Sequence, residues 1–339
     1  MRKVKPFCHM GFHWPHFSTN LHRDLVSKAA KSSAFLRPLI PYPGWRYDID
    51  WSNVHPAFRL RRAIWSYCRS RGWELPVELP WHDGLHLTAY LANDVSRQLF
   101  VSGCIEPNEF AFLDKILAPS MVFIDAGANE GLYTLFASRR VGSSGQVWAF
   151  EPSRREFERL KRNVSQNRLT NVRLFSYALG ECNDDAALLV TEGEHSGQNT
   201  LGKPGHKGVD VLRRESVPLR RLDDLARDEK LHQIDVLKLD VEGAEFRLLE
   251  GAGELLRHAR PLILFEVFEE ALRYQGASSE LLLQLLSAAG YCFYAFDRGT
   301  GLPVPSTQPV ICDNMIASPI ERPIADHLLG TTGQAGGKK

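Results

Sequence analysis

Short apolar runs that each end in an acidic residue recur along the middle and C-terminal parts of the chain. The runs end at Asp125, Glu151, Asp240 and Glu266, and helical patterns lie between them. Such runs are typical of buried parallel strands, and strands that alternate with helices predict an α/β fold. Because α/β sheets bind ligands outside the carboxyl ends of their strands, we expect these carboxylates to border one crevice.

The first run leads into the pattern D-x-G-x-N-x-G, which begins at Asp125 and includes Gly127, Asn129 and Gly131. Glycine allows a sharp turn and a close approach of a ligand, and the following helix start offers unpaired N–H groups. The pattern differs from the G-x-G-x-x-G of dinucleotide enzymes. A carboxylate at Asp125 suits a ligand with an ammonium group, such as the methionine part of S-adenosylmethionine. The alternative is an ordinary strand-turn-helix corner capped by Asp125.

The second run ends at Glu151, 24 residues after Gly127, a separation that fits one helix and a return strand. A carboxylate in this position can accept both ribose hydroxyls of a nucleoside, as in other nucleotide-binding α/β folds. The alternative is a solvated glutamate at a strand end, because Pro152 would end the strand in any case.

From about Gly84 to Pro319 the chain resembles the FkbM family of S-adenosylmethionine-dependent methyltransferases. The resemblance implies a Rossmann-like class I methyltransferase fold, with a mostly parallel seven-stranded sheet and helices on both faces. It also implies methyl transfer, usually to a hydroxyl of a sugar, glycan or polyketide. The motifs that carry it are Phe123–Gly131, Ala149–Pro152, Asn163 with Asn167, Asn171 with Val172, Leu237–Glu245, and the Gly-x-x-Glu-Pro element Gly103–Pro107.

Seven residues are predicted to bind the cofactor S-adenosylmethionine. Ala178 and Leu179 follow the third predicted strand, where the resemblance implies adenine packing. The other five lie in the two motifs described above, and they are Asp125, Gly127, Asn129, Gly131 and Glu151.

Methyl transfer to a hydroxyl needs alignment, exclusion of water and a general base. The candidate bases are Asp240, Glu242 and His195; for Glu242 the alternative is a charge that complements a helix dipole. His195 lies in a Gly-rich polar stretch, Glu192–Gly208, which is either a lid over the acceptor or a surface loop. Asp240 and Glu266 are also the candidate ligands of a Mg²⁺ ion, although such carboxylates also serve as plain bases or caps.

The composition restricts the partners. The 339 residues carry a net charge of +1, from 41 basic and 40 acidic residues, without the basic footprint of a nucleic-acid-binding domain. No stretch approaches the about 18 apolar residues that a membrane span needs. The six dispersed cysteines contain no C-x-x-C pair, which favours reduced thiols in a cytoplasmic protein. We expect a small-molecule or glycan acceptor, while the oligomeric state stays open.

A shift in tryptophan content predicts the domain organisation. Trp14, Trp45, Trp51, Trp65, Trp73 and Trp81 are six of the seven tryptophans. We predict a mostly helical N-terminal extension over residues 1–80, a methyltransferase domain over 81–325 and a flexible tail over 326–339. The first 20 or so residues are expected to be disordered. Core packing explains the tryptophans better than stacking on a ligand.

Two other functional classes remain open at this stage. One is a catalytically silent binding module, since a fold does not imply a function. The other is a nicotinamide-dependent oxidoreductase, which the missing third glycine and Asp125 disfavour.

Overall fold

The computed structural model describes residues 19–34, 56–191, 197–202, 211–310 and 313–329. Predictions that fall on other residues lie outside this description. They concern the first 18 residues, Trp14, Trp45, Trp51, His195 and most of the C-terminal tail.

The helices are α1 (Thr19–Ala34), α2 (Pro56–Ser70), α3 (Asp94–Ser96), α4 (Pro107–Ile116), α5 (Leu132–Val141), α6 (Arg154–Gln166), α7 (Leu222–Asp228), α8 (Glu245–Glu250), α9 (Gly253–His258), α10 (Glu269–Tyr274) and α11 (Ser279–Ala288). The strands are β1 (Pro76–Pro80), β2 (His86–Tyr90), β3 (Val122–Ala126), β4 (Gln146–Phe150), β5 (Val172–Phe175), β6 (Ala178–Leu179), β7 (Asp184–Thr191), β8 (Val211–Arg220), β9 (Val236–Leu239), β10 (Leu262–Val267), β11 (Tyr291–Phe296), β12 (Pro303–Ser306) and β13 (Asp313–Pro319). A π-helical turn, Arg97–Ser102, continues α3, and 3₁₀ turns cover His82–Gly84 and Asp326–Leu328.

The central sheet has eight strands in the order β12-β11-β13-β10-β9-β3-β4-β5. The strands from β10 to β5 in this order are parallel, and β13, β11 and β12 complete the sheet by antiparallel pairing. The predicted mostly parallel sheet is therefore confirmed, and β12 adds an eighth strand at one edge. The carboxyl ends of β3, β4, β9 and β10 face the same side of the molecule because these strands are parallel.

Helices cover both faces of this sheet. Because successive residues of a strand point to opposite faces, each strand contributes to two hydrophobic cores. Phe123 of β3 belongs to one hydrophobic core, together with residues of α2, α4, α5 and α6. Ile124, the next residue, belongs to the other core, together with residues of α7 to α11. This arrangement confirms the α/β class and the Rossmann-like layering.

The N-terminal helices α1 and α2 pack into the same core as α4 to α6. Trp65 of α2 is 4% exposed, and its indole N–H donates to the carbonyl oxygen of Asn93 at 3.2 Å. Core packing therefore accounts for Trp65. The boundary predicted at residues 80 and 81 falls inside the β1–β2 hairpin, in which Val77 pairs with Ala89.

A second sheet, in the order β6-β8-β7, lies beside the carboxyl end of the central sheet. The sequence predicts a short strand over 217–219, whereas β8 has ten residues and pairs with the whole of β7. The charged and polar run from Arg213 to Ser216 conceals this length from a reading of apolar residues. In the described ranges, no helix has both the length and the apolarity that crossing a membrane requires.

Candidate active site

The turn after β3 places backbone, rather than side chains, at the carboxyl edge of the sheet. Gly127 adopts φ +77°, and a Cβ atom there would lie 1.8 Å from the carbonyl oxygen of Asp240. Only glycine fits this approach of two backbones. Gly131 adopts φ +96° and packs against Leu160, where a Cβ atom would meet the Leu160 side chain at 2.6 Å. The two glycines of the motif thus let the turn pack closely against the end of β9 and against α6.

Glu151 lies directly beside this turn. One carboxylate oxygen accepts the backbone N–H of Asn129 at 2.9 Å, and the other accepts the N–H of Ser153 at 2.9 Å. The residue is 5% exposed. Burial, reinforced by the negative charge of Glu156, raises the pKa of Glu151 to about 8. The structure therefore joins the two predicted motifs through one carboxylate.

Lys238 forms the floor of the site. Its ammonium donates to Asp240 Oδ2 at 3.0 Å and to the carbonyl oxygen of Gly127 at 3.2 Å, and lies 3.6 Å from Asp125 Oδ1. The ring of Tyr133 lies below it, with its centroid 4.8 Å from Nζ. Although burial alone would lower the pKa of Lys238, the carboxylates of Asp240 and Asp125 raise it above its ordinary value. The buried lysine stays a cation.

The predicted cofactor residue Asp125 lies in the interior of the protein. Its side chain is fully buried and accepts the hydroxyl of Thr134 at 2.6 Å, in addition to its ion pair with Lys238. Burial raises the pKa of Asp125, while Lys238 and Thr134 oppose this effect. The carboxylate thus lies beneath the surface of the crevice, where it contacts the lysine.

A cavity opens above this floor, at the carboxyl ends of β3, β4 and β9. Five of the seven predicted cofactor residues line it, namely Gly127, Asn129, Glu151, Ala178 and Leu179. Asp125 lies below the cavity, and Gly131 begins α5 behind it.

The described candidate bases lie at the same edge. Asp240 and Glu242 line the cavity, and the Asp240 side chain is 36% exposed. Burial and the nearby Asp240 charge raise the pKa values of Glu242 and Glu266 well above the ordinary glutamate value. Glu266 is the residue before the last of β10 and lies opposite Asn314 of β13. Within the described ranges, no group of three or more His, Cys, Asp or Glu side chains is arranged to hold a metal ion.

Glu106 joins this cluster although it precedes the first strand of the sheet. It begins α4 with φ +44°, and its carboxylate accepts the hydroxyl of Tyr133 at 2.6 Å. Burial and the charge of Asp240 raise its pKa, and Lys238 opposes them. The sequence contains a signal for this residue in the Gly-x-x-Glu-Pro element, but the spacing alone does not reveal that the element reaches Asp240.

Five residues of the cavity lining lie outside the predicted motifs and the predicted cofactor residues. Tyr177, Leu188, Gly197, Asn199 and Leu201 come from β7 and from the segments next to β6 and β7. Asn199 and Leu201 lie in the Gly-rich stretch that the sequence predicts to be either a lid over the acceptor or a surface loop. Its candidate base, His195, lies outside the described residues. Composition marks this stretch as unusual, but it does not show which of its residues reach the cavity.

Comparison with known proteins gives a consistent result. A family model described as "Methyltransferase FkbM domain" matches residues 125–293. "Methyltransferase 1" of Beauveria bassiana is 29% identical over 177 residues, which cover 47% of this chain and 67% of that protein. "Methyltransferase sdnD" of Sordaria araneosa is 31% identical over 162 residues, or 40% of this chain and 62% of that protein.

A bacterial relative matches the same region. "2-O-methyltransferase NoeI" of Sinorhizobium fredii is 28% identical over 171 residues, which cover 47% of this chain and 67% of that protein. The chain thus spans roughly two thirds of the length of these three relatives. The domain match begins at Asp125 and includes the Gly127 turn, Glu151 and the Lys238–Asp240 segment. The chain therefore belongs to the FkbM family of methyltransferases.

Proposed function

We propose that this chain is an S-adenosylmethionine-dependent O-methyltransferase whose acceptor is a hydroxyl of a sugar, glycan or polyketide-type molecule. The observation that carries the proposal is the shared cavity. It brings the Gly127 turn, the Glu151 carboxylate and the carboxylate of Asp240 to one edge of the sheet.

The donor set of the cavity fits the proposed cofactor. Glu151 offers a buried carboxylate to two ribose hydroxyls, and Ala178 and Leu179 offer apolar surface to an adenine ring. The backbone of Gly127 lines the same cavity, where its carbonyl oxygen suits a cationic amino acid group. When bound, S-adenosylmethionine supplies a methyl group on a sulfonium, and the residues bind, orient and exclude water.

Asp240 is the proposed general base. It combines partial exposure with a fixed orientation, because Lys238 holds one of its carboxylate oxygens at 3.0 Å. A base must reach the hydroxyl proton of the acceptor. The partly exposed side chain of Asp240 lines the cavity and meets this requirement. Glu242 and His195 remain alternative bases.

Two observations favour a hydroxyl acceptor. The cavity edge presents carboxylates, which hydrogen-bond well to hydroxyl groups. The name of the Sinorhizobium fredii relative also describes it as a 2-O-methyltransferase. Asp240 and Glu266 remain the proposed ligands of a Mg²⁺ ion, and activity that is unchanged by EDTA would exclude that ion.

The first prediction concerns Glu151. We expect Glu151→Gln to weaken binding of S-adenosylhomocysteine at least tenfold, because the amide offers a neutral acceptor in place of a carboxylate that can hold both ribose hydroxyls. Isothermal titration at one pH measures the change. Glu158→Gln on the exposed side of α6 is the matched control, since Glu158 pairs with Lys161 at 2.7 Å and does not line the cavity.

The outcomes separate the three functional classes. Binding of S-adenosylhomocysteine by the wild type and its loss in Glu151→Gln support the cofactor site. Stabilisation by NAD instead would favour the oxidoreductase, and stabilisation by neither would favour the silent binding module. With binding established, release of S-adenosylhomocysteine over a panel of sugars and polyketide alcohols tests the acceptor, and Asp240→Asn tests the base.

A further inference from the structure

The cavity has one wall that none of the recognised motifs supplies. It consists of residues 197–202, which we call the strap. Gly197, Asn199 and Leu201 of the strap line the cavity. The strap lies across the gap between the small sheet and the turn that follows β9.

The strap is joined to the small sheet through its backbone. The N–H of Thr200 donates to the carbonyl oxygen of Leu189 at 3.1 Å, and the N–H of Leu189 donates to Thr200 at 2.9 Å. Leu201 packs against the apolar cluster of Ala178, Leu188 and their neighbours. Residue 200 is 2% exposed, so this joint is buried.

Asn199 links the strap to the carboxylate network of Glu151. Its side-chain oxygen accepts the N–H of Thr191 at 3.0 Å, and its amide donates to Glu156 Oε2 at 3.1 Å. The hydroxyl of Ser153 donates to the same oxygen of Glu156, and the N–H of Ser153 donates to Glu151. Two residues, Glu156 and Ser153, therefore connect the strap amide with the carboxylate proposed for the ribose.

Thr200 links the strap to the turn after Asp240. Its hydroxyl donates to the carbonyl oxygen of Glu242 at 2.8 Å. Glu242 adopts φ +51°, a conformation that non-glycine residues rarely take, so the turn depends on contacts that hold it. The side chain of Gln275 donates to the same carbonyl oxygen and to the Thr200 hydroxyl, each at 3.4 Å.

A third contact joins the strap to the first cofactor motif. A Cβ atom at Gly197 would lie 2.9 Å from the side-chain amide nitrogen of Asn129, and Gly197 adopts φ +107°. The backbone N–H of the same Asn129 donates to Glu151, so the strap contacts a residue that holds this carboxylate. The strap thus contacts the Asn129 turn, the Glu151 network and the Glu242 turn.

We propose that the strap is the outer wall of the S-adenosylmethionine pocket, and that Asn199 and Thr200 are positioning residues that hold it against the Glu151 and Glu242 turns. This inference rests on the proposed function. The wall retains the cofactor and shields it from water, while the recognised motifs supply the floor and the ribose carboxylate. Loss of either tie therefore speeds cofactor release more than it slows entry.

The test uses the full chain and S-adenosylhomocysteine as the probe. We expect Asn199→Ala and Thr200→Val each to raise Kd about tenfold, with most of the change in the dissociation rate. Isothermal titration gives Kd, and stopped-flow fluorescence gives the two rates. Thr200→Ser keeps the hydroxyl that donates to Glu242 and is expected to restore the wild-type dissociation rate.

Asn183→Ala is the matched control. Asn183 is exposed beside the same small sheet, accepts the N–H of Arg221 at 2.9 Å and donates to Asp224 at 2.7 Å. It therefore makes the same two kinds of bond as Asn199, but away from the cavity. We expect its variant to release the probe at the wild-type rate.

The results distinguish this inference from the proposed function. Suppose that the wild type binds the probe and Glu151→Gln does not. Wild-type dissociation rates in both strap variants would then leave the proposed function intact and overturn the strap inference. Lower melting temperatures with unchanged dissociation rates also overturn it, since they describe a purely structural role. If the wild type itself does not bind the probe, the proposed function fails and the strap inference fails with it. Should Thr200→Val not fold, Asn199→Ala and Thr200→Ser still decide the question.

Discussion

At the scale of single residues, the candidate site consists of buried charges that compensate one another. Lys238 is 5% exposed and lies between Asp125 and Asp240, while Glu151 is buried beside Glu156. Removal of one member of a buried pair leaves an uncompensated charge, whereas removal of both members leaves none. The difference in stability between single and double variants therefore measures how strongly two charged residues are paired.

The lysine gives a direct test of this point. We expect Lys238→Met to lower the free energy of unfolding by about 3–5 kcal/mol, because Asp125 then has no cationic partner. Combining it with Asp125→Asn is expected to recover a large part of this loss. Urea unfolding of the wild type, both single variants and the double variant measures the coupling, and additive losses would contradict the pairing.

The pKa of Glu151 gives a prediction about pH. The carboxylate has a folded-state pKa of about 8, above the ordinary glutamate value, so the free protein holds the proton below that pH. If ribose hydroxyls need the ionised form, affinity for S-adenosylhomocysteine rises with pH up to about 8, by up to about tenfold per pH unit. Titrations between about pH 6 and about pH 9 measure this slope. Glu151→Gln should flatten it, and an equal slope in the variant would exclude Glu151 as the titrating group.

The pH dependence of the folding stability has the opposite sign to that of the affinity. Because folding raises this pKa from 4.5 to about 8, the folded state binds more protons than the unfolded state between these values. The contribution of Glu151 to the stability of the free protein is therefore fully present below about pH 4.5 and falls as the pH rises to about 8. If the ionised carboxylate binds the ribose, affinity for the cofactor rises over the upper part of this window, and the same ionisation lowers stability while it favours binding.

At the scale of elements, the turn between β3 and α5 depends on its first glycine. We expect Gly127→Ala to abolish cofactor binding and to destabilise the fold, because its Cβ atom would lie 1.8 Å from the Asp240 carbonyl oxygen. Gly84→Ala is the control, since Gly84 has a similar φ of +78° but nothing within 4 Å. The control should cost only about 1–2 kcal/mol from the left-handed backbone. Equal effects of the two substitutions on thermal unfolding would show that the contact with Asp240 is unimportant.

Elements also show what the sequence can and cannot reveal. The runs of β3, β4, β9 and β10 are mostly apolar because both faces of these strands are buried, and so the strands and their parallel direction are predictable. β8 contains the charged and polar run from Arg213 to Ser216, and its full length becomes evident only from its pairing with β7. Asp125 is similar, since its motif predicts a charged contact but its partner, Lys238, comes from a strand 113 residues later.

At the scale of the whole molecule, the buried cation of Arg159 connects the N-terminal region with the turn between β3 and α5. Arg159 of α6 donates to Glu130 Oε1 at 2.9 Å and also pairs with Glu74, which precedes β1. Asn163 accepts the N–H of Thr88 in β2 at 2.9 Å and donates to the carbonyl oxygen of Glu130 at 2.7 Å. Glu130 is the residue between Asn129 and Gly131, so the hairpin and the motif share a support.

This connection leads to a prediction about truncation. A chain of residues 81–339 loses β1 and Glu74, and we expect it to be less stable by about 3 kcal/mol or more, since it leaves β2 unpaired and Arg159 with one partner fewer. Thermal unfolding and titration with S-adenosylhomocysteine compare it with the full chain. Wild-type stability and affinity in the truncated chain would instead support the domain boundary at residues 80 and 81. Composition indicates that boundary because tryptophans are concentrated before it, but hydrogen bonds between distant residues have no signature in composition.

The support beneath Glu130 has a consequence for how this enzyme could diversify. Glu74 and Thr88 lie two bonded steps from Glu130, through Arg159 and Asn163 respectively, and neither of them lines the cavity. We therefore expect that substitutions in the N-terminal segment can change cofactor affinity while the sequence motifs stay constant. A chimera that exchanges this segment between relatives would inherit the donor affinity of its N-terminal parent, even if the exchange were intended only to transfer acceptor choice.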